Sequence, residues 1–462
     1  MNINRWMRGM LLGATTLAAS PAYADAAREA KLEARLNVLE AAIFDMRAEL
    51  AAAHRQQAAA IPTSIAAVAM PSAADPARIS PAIPALPATD GFRVGATTVK
   101  INGYFKLTAI GSRYSDGAVP TTSLGRDFYL PGTIPIGGLR RGQTFEASAK
   151  QTRISLSTAT PIGSHLLKGY LELDFQTSPG AQGSERTTNG YNPALRRGFI
   201  TYDNFLFGQD WTNFQYVAAL PESTDYVGPT EGTVFARQPQ IRYTRAVSNK
   251  LVISVSVENP KTASATLLAP ALIDNGNDNL PDVTARLTYT SPVVELSLAA
   301  IGRKLTVDNG VNRASSAGFG ASFAGKLPFG PDKRHDLRFM ISGGDGIGRY
   351  IGLNFAPDTV YAGLPNSKLG NVRAIAGFAA LRLGWTASLR STFVGSFQKV
   401  DYASGLVPIG ANASAWSASA NLFYSPVKNF DLGFELRHGE RTLVTGAKGL
   451  LDRGEFAAKY SF

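Results

Sequence analysis

The chain has 462 residues, a formal net charge of +11, a mean hydropathy of −0.03 and no cysteine. The lack of cysteine excludes a disulfide-stapled exported scaffold, and the low hydropathy excludes a bundle of membrane-spanning helices. Glycine (45 residues) and aromatic residues (10%) are abundant, a composition that fits an exported β-barrel.

Residues 1–24 predict a secretory signal peptide. Arg5 and Arg8 form a basic start, an apolar stretch follows, and Ala22-Tyr23-Ala24 provides a small-x-small cleavage site. The apolar stretch of roughly ten residues is too short to span a bilayer, which takes about 20 in a helix. An uncleaved anchor is the alternative. Because export separates the mature chain from the cytoplasm, nucleic acid is not an expected partner in spite of the positive charge.

Residues 25–57 predict a coiled-coil helix. Leu32, Leu36, Leu39, Ile43 and Met46 begin a seam with alternating spacings of four and three, with charged residues on the other faces. A lone amphipathic helix that docks elsewhere is the alternative. Residues 58–90 contain six prolines, which disfavour a helix and indicate an extended, semi-rigid linker.

From Thr97 onward, segments of about ten residues alternate apolar and polar side chains, which is the length and period of a tilted membrane strand. In "TTVKINGYFKLTAI", for example, Val99, Ile101 and Phe105 face one side, while Lys100 and Lys106 face the other. The pattern predicts sixteen strands, at 97–112, 144–160, 166–176, 195–203, 205–213, 236–245, 250–258, 283–291, 293–303, 316–327, 336–343, 372–383, 388–399, 413–425, 430–443 and 449–462.

The connections between these segments alternate in length. Long ones at 113–143, 177–194, 214–235, 259–282, 304–315, 344–371 and 400–412 exchange with tight turns such as "DN" and "SPVKN". Long loops on one rim and short turns on the other are typical of an outer-membrane barrel, whereas a soluble β-sandwich has shorter strands and no such difference. We therefore predict that residues 91–462 form an all-β, sixteen-stranded antiparallel transmembrane porin barrel in the outer membrane of a Gram-negative bacterium. The helix and linker would lie in the periplasm.

The chain ends in "GEFAAKYSF", in which Gly454, Phe456, Ala458, Tyr460 and Phe462 form an apolar row. We expect this last strand to close the barrel against the first, with the apolar row facing lipid. The outer-membrane assembly machinery is the expected partner of Phe462.

If the apolar rows face lipid, the polar rows face the lumen, because a charge on the lipid side costs a few kcal/mol near the midplane. Basic residues outnumber acidic ones in these inward rows, which predicts a positively charged channel that favours anions. Pairing with neighbouring carboxylates is the alternative for each single side chain. The inward candidates for anion binding are Lys106, Arg153, Arg242, Arg286, Arg338, Arg382, Arg390 and Arg437; the pattern does not assign Arg196, Arg197 or Arg237 to a face.

The stretch "GQDWTNFQYVAALPESTDYVGPTEGTVFARQPQIRYTR" mixes aromatic, acidic and proline residues after the fifth strand. A loop of this length and composition either folds inward and narrows the channel or remains external.

Within it, "FLFGQDWTNF", "ALPESTDYVGP" and "TVFARQPQIRYTR" resemble, in the same order, segments of the DcaP-like family of outer-membrane porins. The resemblance extends to the N-terminal heptads, "KINGYFKL" and the aromatic end. It implies a homotrimer of sixteen-stranded barrels with a periplasmic coiled coil, which takes up small anions such as dicarboxylates. It also implies that Arg237, Arg242 and Arg245 lie near the constriction.

Other kinds of site find little support in the sequence. No G-x-S-x-G motif accompanies the four histidines, so we predict no enzyme activity and no catalytic residues. The glycine-rich segments lack a strand-turn-helix context, and we predict no cofactor. The loop "IDNGNDNLPD" (273–282) lacks the EF-hand order, so a solvated loop is preferred to a calcium site, and no metal is predicted.

Three functions therefore compete. The leading hypothesis is a porin for passive diffusion of small anions, with dicarboxylates as the preferred class. The second is a general, non-selective diffusion porin, and the third is a structural tether of the outer membrane in which conductance is secondary.

Overall fold

A computed structural model describes residues 91–176, 189–275 and 277–462. The predicted signal peptide, coiled coil and linker lie outside these residues. The strands are β1 (Phe92–Val94), β2 (Thr97–Tyr114), β3 (Gly142–Ser148), β4 (Arg153–Ile162), β5 (His165–Asp174), β6 (Ala194–Tyr202), β7 (Phe205–Trp211), β8 (Arg237–Ala246), β9 (Leu251–Glu258), β10 (Ala263–Thr266), β11 (Ala269–Asp274), β12 (Asp282–Thr290), β13 (Glu295–Asp308), β14 (Arg313–Phe329), β15 (His335–Asp345), β16 (Thr359–Tyr361), β17 (Gly370–Asn371), β18 (Arg373–Gly384), β19 (Leu389–Asp401), β20 (Asn412–Val427), β21 (Phe430–Leu443) and β22 (Lys448–Ser461).

These strands form a closed, antiparallel sixteen-stranded barrel, as predicted. β3 and β4 together make one barrel strand, β1 is a short extension beside β2, and β10, β11, β16 and β17 form a separate small sheet. The last strand, β22, closes the barrel on β2, in a register that runs from Tyr104 opposite Ser461 to Tyr114 opposite Leu451. Phe462 continues this closure through main-chain hydrogen bonds with Gly103 of 3.0 and 3.2 Å.

The two faces of the barrel wall differ as the alternation predicts. On β22, Phe456 and Tyr460 are exposed on the outer face, whereas Arg453 and Glu455 of the alternate row are buried on the inner face. Within the described part of the chain, no helix has the length and apolarity that a membrane span requires. The helices there are short 3-10 turns, at Leu124–Arg126, Pro131–Thr133, Val217–Ala219, Thr230–Gly232, Pro331–Lys333 and Gly348–Tyr350.

Two of the predicted elements are wrong in detail. The predicted strand 144–160 is interrupted by a bulge, in which residues 149–152 lie opposite three residues of β2. The predicted long connection 304–315 is a tight hairpin instead, since β13 and β14 pair as far as Asp308 and Arg313. There the Asn309 side chain accepts hydrogen bonds from the main-chain N–H groups of Val311 and Asn312. Gly310 adopts a φ of 80°, so a local Asn-Gly turn replaces a loop.

Several long loops fold into the barrel and bury aromatic side chains there. Phe128 and Tyr129 come from the loop between β2 and β3, and Tyr350 comes from the loop between β15 and β16. The loop between β7 and β8, residues 212–236, is called the lumen loop below. The rim that carries the short turns, such as 203–204 and 291–294, is called the short-turn rim.

Candidate functional site: the lumen loop and the basic wall

The lumen loop makes a circuit of the inner wall before it returns to β8. Its hydrogen bonds and ion pairs to the wall follow the order of the strands around the barrel. In the first half of the circuit, the loop residue and its wall partner are Asn213 with Glu258 on β9, Gln215 with Arg286 on β12, Tyr216 with Glu295 on β13, and Leu220 with Arg338 on β15. In the second half, they are Glu222 with Arg382 on β18 and Arg390 on β19, Ser223 and Thr224 with Glu435 on β21, Thr224 with Lys106 on β2, and Tyr226 with Asp174 on β5. The loop thus folds inward and narrows the lumen.

Basic wall side chains hold the loop by its main chain. Arg286 Nη1 donates to the Gln215 carbonyl at 2.6 Å, and Arg338 Nη1 donates to the Leu220 carbonyl at 2.6 Å. Lys106 Nζ donates to the Thr224 carbonyl, also at 2.6 Å. These charge-assisted bonds satisfy carbonyls that the irregular loop backbone would otherwise leave unpaired away from bulk water.

Acidic wall side chains hold the same loop by accepting hydrogen bonds from its side-chain hydroxyl groups. The Tyr216 hydroxyl donates to Glu295 at 3.1 Å, and burial together with the neighbouring Glu295 carboxylate raises the pKa of Tyr216 to about 12. The Ser223 hydroxyl donates to Glu435 at 2.7 Å. Further along, the loop passes so close to β18 that a Cβ at Gly232 would lie 2.4 Å from the Gly377 carbonyl oxygen, so this contact requires glycine.

Six of the ten predicted site residues form ion pairs with carboxylates, so for these the alternative of a paired wall charge applies. The pairs are Arg153 with Asp174 (3.4 Å), Arg242 with Asp210 (2.9 Å), Arg338 with Asp336 (2.7 Å), Arg382 with Glu222 (3.5 Å), Arg390 with Glu222 (2.6 Å) and Arg437 with Glu435 (2.7 Å). The local field of the wall is therefore weaker than the count of arginines alone suggests.

The other four predicted residues have different surroundings. Arg286 and Lys106 point inward, and no carboxylate of the described residues lies within 4.0 Å of either side chain's nitrogens. Arg237 lies over the Trp211 ring, 5.0 Å from its centroid. The prediction for Arg245 is wrong: this residue is exposed in the outward row of Ile241, because the strand alternates without interruption beyond Arg242.

Arg437 does not line open lumen either. Its side chain is almost fully buried, lies 4.6 Å from the centroid of the Tyr129 ring and donates to Glu435. Arg453 on the next strand donates to the Gly125 carbonyl. Both arginines thus fix the loop between β2 and β3 inside the barrel.

Sequence reasoning missed two inward arginines, Arg196 and Arg197. β6 has a bulge at this point: Arg197 lies opposite Glu172 and Leu195 opposite Leu173, so Arg196 is an extra residue. Arg196 pairs with Glu172 and Asp174, while Arg197 pairs with Asp210 at 2.6 Å. A bulge turns two successive side chains to the same face, which a period-two pattern does not reveal.

Two cavities flank the loop within the lumen. The larger lumen cavity, of about 700 Å³, reaches the short-turn rim and is lined by Leu220, Glu222, Lys326, Arg338 and Arg382, among others. The smaller lumen cavity, of about 200 Å³, is lined by residues that include Tyr104, Lys106, Arg153, Glu222 and Lys459. Four of the predicted residues, Lys106, Arg153, Arg338 and Arg382, therefore border open space.

The acidic loop 273–282 has separate partners for its carboxylates. Asp274 lies 3.2 Å from Lys261, Asp278 accepts hydrogen bonds from Thr262, and Asp282 pairs with Arg303. Among the described residues, no group of three or more histidine, cysteine, aspartate or glutamate side chains is arranged to hold a metal ion.

The sequence profile of the DcaP outer membrane protein family matches residues 110–462. Among solved structures, the outer membrane channel DcaP of Acinetobacter baumannii is 24% identical with a TM-score of 0.67, and the match covers 80% of this chain and 99% of that chain. OmpT of Vibrio cholerae in its trimer form is 9% identical (TM-score 0.47; 79% and 100% covered), and OmpF of Salmonella typhi in complex with daunomycin is 12% identical (TM-score 0.48; 79% and 98% covered).

No curated protein sequence matches this chain. The profile match spans most of the chain, and the barrel that closes β22 on β2 has the fold of the DcaP channel. The protein is an outer-membrane channel of the porin type, and the chain belongs to the DcaP outer membrane protein family.

Proposed function

We propose that this porin conducts small anions by passive diffusion and that dicarboxylates are its preferred substrate class. The observation that carries the proposal is the set of basic side chains beside the lumen loop that border open space. The larger lumen cavity is lined by Lys326, Lys333, Arg338 and Arg382 together with three carboxylates, and the smaller one by Lys106, Arg153 and Lys459 together with three carboxylates. Basic groups on both sides of a constriction attract anions and offer them successive contacts.

Guanidinium groups suit carboxylates because their planar forks donate two parallel hydrogen bonds. Most forks at this wall already engage protein carboxylates or main-chain carbonyls, as Arg338 does with Asp336 and Leu220. Binding of a solute to such a wall is weak and readily reversible, which is what flux requires. A dicarboxylate engages two basic groups at once and gains more from this wall than a monovalent anion does.

The same proposal includes a homotrimer. A groove of about 750 Å³ lies on the outer face where β2, β20, β21 and β22 meet, with the small residues Gly111, Ala418 and Gly454 along it. At one end His438 pairs with Asp452 at 2.7 Å on the outer face. Polar pairs on the lipid side of a barrel are costly unless they are covered, so a second copy of the chain is the fitting cover.

The proposal places residues 25–90 in the periplasm. The barrel begins at β1 and β2 on the short-turn rim, and in an outer-membrane barrel the short turns face the periplasm. The preceding segment would then remain on that side of the membrane.

The test is a reversal-potential measurement on the purified protein in a planar bilayer under a KCl gradient. We expect a potential that favours chloride, three equal conductance steps, and a current that succinate or phthalate blocks in proportion to its concentration. No preference, or a preference for potassium, would contradict the anion proposal and support the general diffusion porin. A chloride preference without block by dicarboxylates would contradict the substrate class alone.

A further inference from the structure

Glu222 is the residue that the two lumen cavities share. It lies in the middle of the lumen loop, and its side chain borders both the larger and the smaller cavity. About a quarter of the side chain is exposed (26%), so the carboxylate is in contact with the space through which solutes pass. The carboxylate thus borders both of the spaces beside the lumen loop.

The carboxylate of Glu222 binds two guanidinium groups where the two cavities adjoin it. Arg390 holds it in a fork, with Nε at 2.8 Å from Oε2 and Nη2 at 2.6 Å from Oε1. Arg382 Nε lies 3.5 Å from Oε2. This two-point arrangement is the geometry in which an arginine binds any carboxylate, so Glu222 takes the place that a solute carboxylate would take.

Basic side chains continue on either side of Glu222. Arg338 borders the larger cavity, and Lys106 and Lys459 border the smaller one. A dianion held among these groups would leave slowly if Arg382 and Arg390 were also free to bind it. A carboxylate tethered at the same place is always available to take those guanidinium groups back.

We propose that Glu222 is a tethered competitor ligand, which exchanges with the solute carboxylate on Arg390 and Arg382 and so speeds the release of dicarboxylates. This inference rests on the proposed function, since it requires that anions pass the lumen loop. It assigns to Glu222 a role in specificity: the residue lowers affinity for dianions in favour of flux.

The competing explanation is that Glu222 only anchors the loop. The loop has other anchors close by, because the Leu220 carbonyl binds Arg338 and the Thr224 carbonyl binds Lys106. The Glu222 main-chain carbonyl also accepts a hydrogen bond from Asn421 at 2.8 Å. Because of these anchors, we expect the loop to keep its course when the Glu222 side chain is neutralised, so that a substitution there reports on the carboxylate itself.

The experiment compares full-length wild type with Glu222→Gln in planar bilayers at 0.1 M KCl, with succinate as the probe. We expect succinate-induced blocking events to lengthen and the half-blocking concentration of succinate to fall about threefold. This is the effect expected when one negative charge about 4 Å from a succinate carboxylate is removed and their repulsion in water is screened by salt. Glu222→Asp, which keeps the charge, is expected to restore most of the wild-type dwell time.

Two further variants sharpen the result. Asp308→Asn changes the net charge equally, but it lies in the β13–β14 hairpin away from the short-turn rim, and it is expected to leave the dwell time unchanged. Asp431 also contacts Arg390, at 3.0 Å, from the wall and not from the loop. Asp431→Asn is therefore expected to lengthen the events in the same direction, and it tests the idea even if Glu222→Gln does not assemble.

The outcomes separate the inference from the proposed function. If the wild type shows neither anion preference nor succinate block, the proposed function itself fails. If the wild type is blocked and Glu222→Gln has the same or shorter dwell times, the competitor role is overturned while the porin proposal stands. Longer events in Asp308→Asn as well would reduce the effect to net charge and would also overturn it.

Discussion

Among the wall arginines, Arg286 offers the most direct mutational test of the anion proposal. It points into the lumen, donates to the Gln215 carbonyl at 2.6 Å, and has no carboxylate of the described residues within 4.0 Å. Replacing it with alanine removes a positive charge that is not part of an ion pair with a described carboxylate. If anions pass along this wall, Arg286→Ala weakens the block of the current by succinate.

The size of the effect follows from the distance of closest approach. A solute carboxylate in contact with the guanidinium lies about 4 Å from its charge, which is worth about 1 kcal/mol in bulk water. Screening with a Debye length of about 10 Å at 0.1 M salt leaves roughly two thirds of this energy, and one of about 3 Å at 1 M leaves roughly a quarter. The half-blocking concentration of succinate is then expected to rise about threefold at 0.1 M KCl and about 1.5-fold at 1 M KCl.

The assay is a succinate titration of single-channel current in planar bilayers at both salt concentrations. Arg245→Ala is the matched control, since it removes the same charge from a side chain in the outward row. Arg286→Lys keeps the charge but loses the planar fork, and it is expected to fall between the wild type and Arg286→Ala. Equal effects of Arg286→Ala and Arg245→Ala, or an effect that persists undiminished at 1 M KCl, would refute the reasoning.

Two more predictions concern assembly and the loops. A tryptophan at Gly111, in the outer groove, is expected to dissociate trimers in native electrophoresis or mass photometry. Gly302→Trp, on the opposite side of the barrel, serves as the control. At both positions, a Cβ would have no atom of the same chain within 4 Å beyond the adjacent residues, so neither substitution is expected to disturb the single barrel. Equal trimer content in the two variants would exclude the groove as the interface. In the native protein, Arg303 forms ion pairs with buried Asp282 at 3.0 Å and with buried Asp358 at 2.8 Å. Arg303→Met removes both pairs and leaves two buried charges, which is expected to lower stability by about 3–5 kcal/mol. We expect Arg303→Met to have a noisier current and faster proteolysis in the loop that contains Asp358. The control variant Arg313→Met, at a side chain that is 87% exposed, is expected to show neither effect. Unchanged proteolysis in Arg303→Met would contradict the anchoring role.

The barrel itself was predictable because each of its strands carries its own signal. A strand with lipid on one side and polar lumen on the other has to alternate, and this local requirement shows up in every segment from Thr97 onward. The last strand is an example: the apolar row that contains Phe456 and Tyr460 predicted the outer face of β22 and its pairing with β2. The bulge that adds Arg196 escaped prediction because it breaks the same local rule.

The candidate site was less predictable because its contacts join residues far apart in the chain. Alternation placed Arg390 and Arg437 on the inner face, but their surroundings differ: Arg390 faces Glu222 of the lumen loop, and Arg437 is buried against Tyr129. Which arginines meet Glu222, and which are buried under a loop, depends on the course of long irregular loops, and no periodic signal encodes that course.

The basic side chains of the wall have two roles in this proposal, since they hold the lumen loop and would also attract anions. A loop held inside a water-filled barrel needs partners for its polar main chain, and long basic side chains such as Arg338 and Lys106 reach those carbonyls while keeping their charge. Under the proposed function, the residues that shape the constriction are thus the ones that would attract anions. Adding arginines to such a wall would tighten the loop as well as the binding of solutes, whereas changing a carboxylate such as Glu222, in a loop with several other anchors, alters binding with little effect on the loop. In this barrel, therefore, Glu222 is the position at which we expect affinity to be adjustable with little effect on the fold.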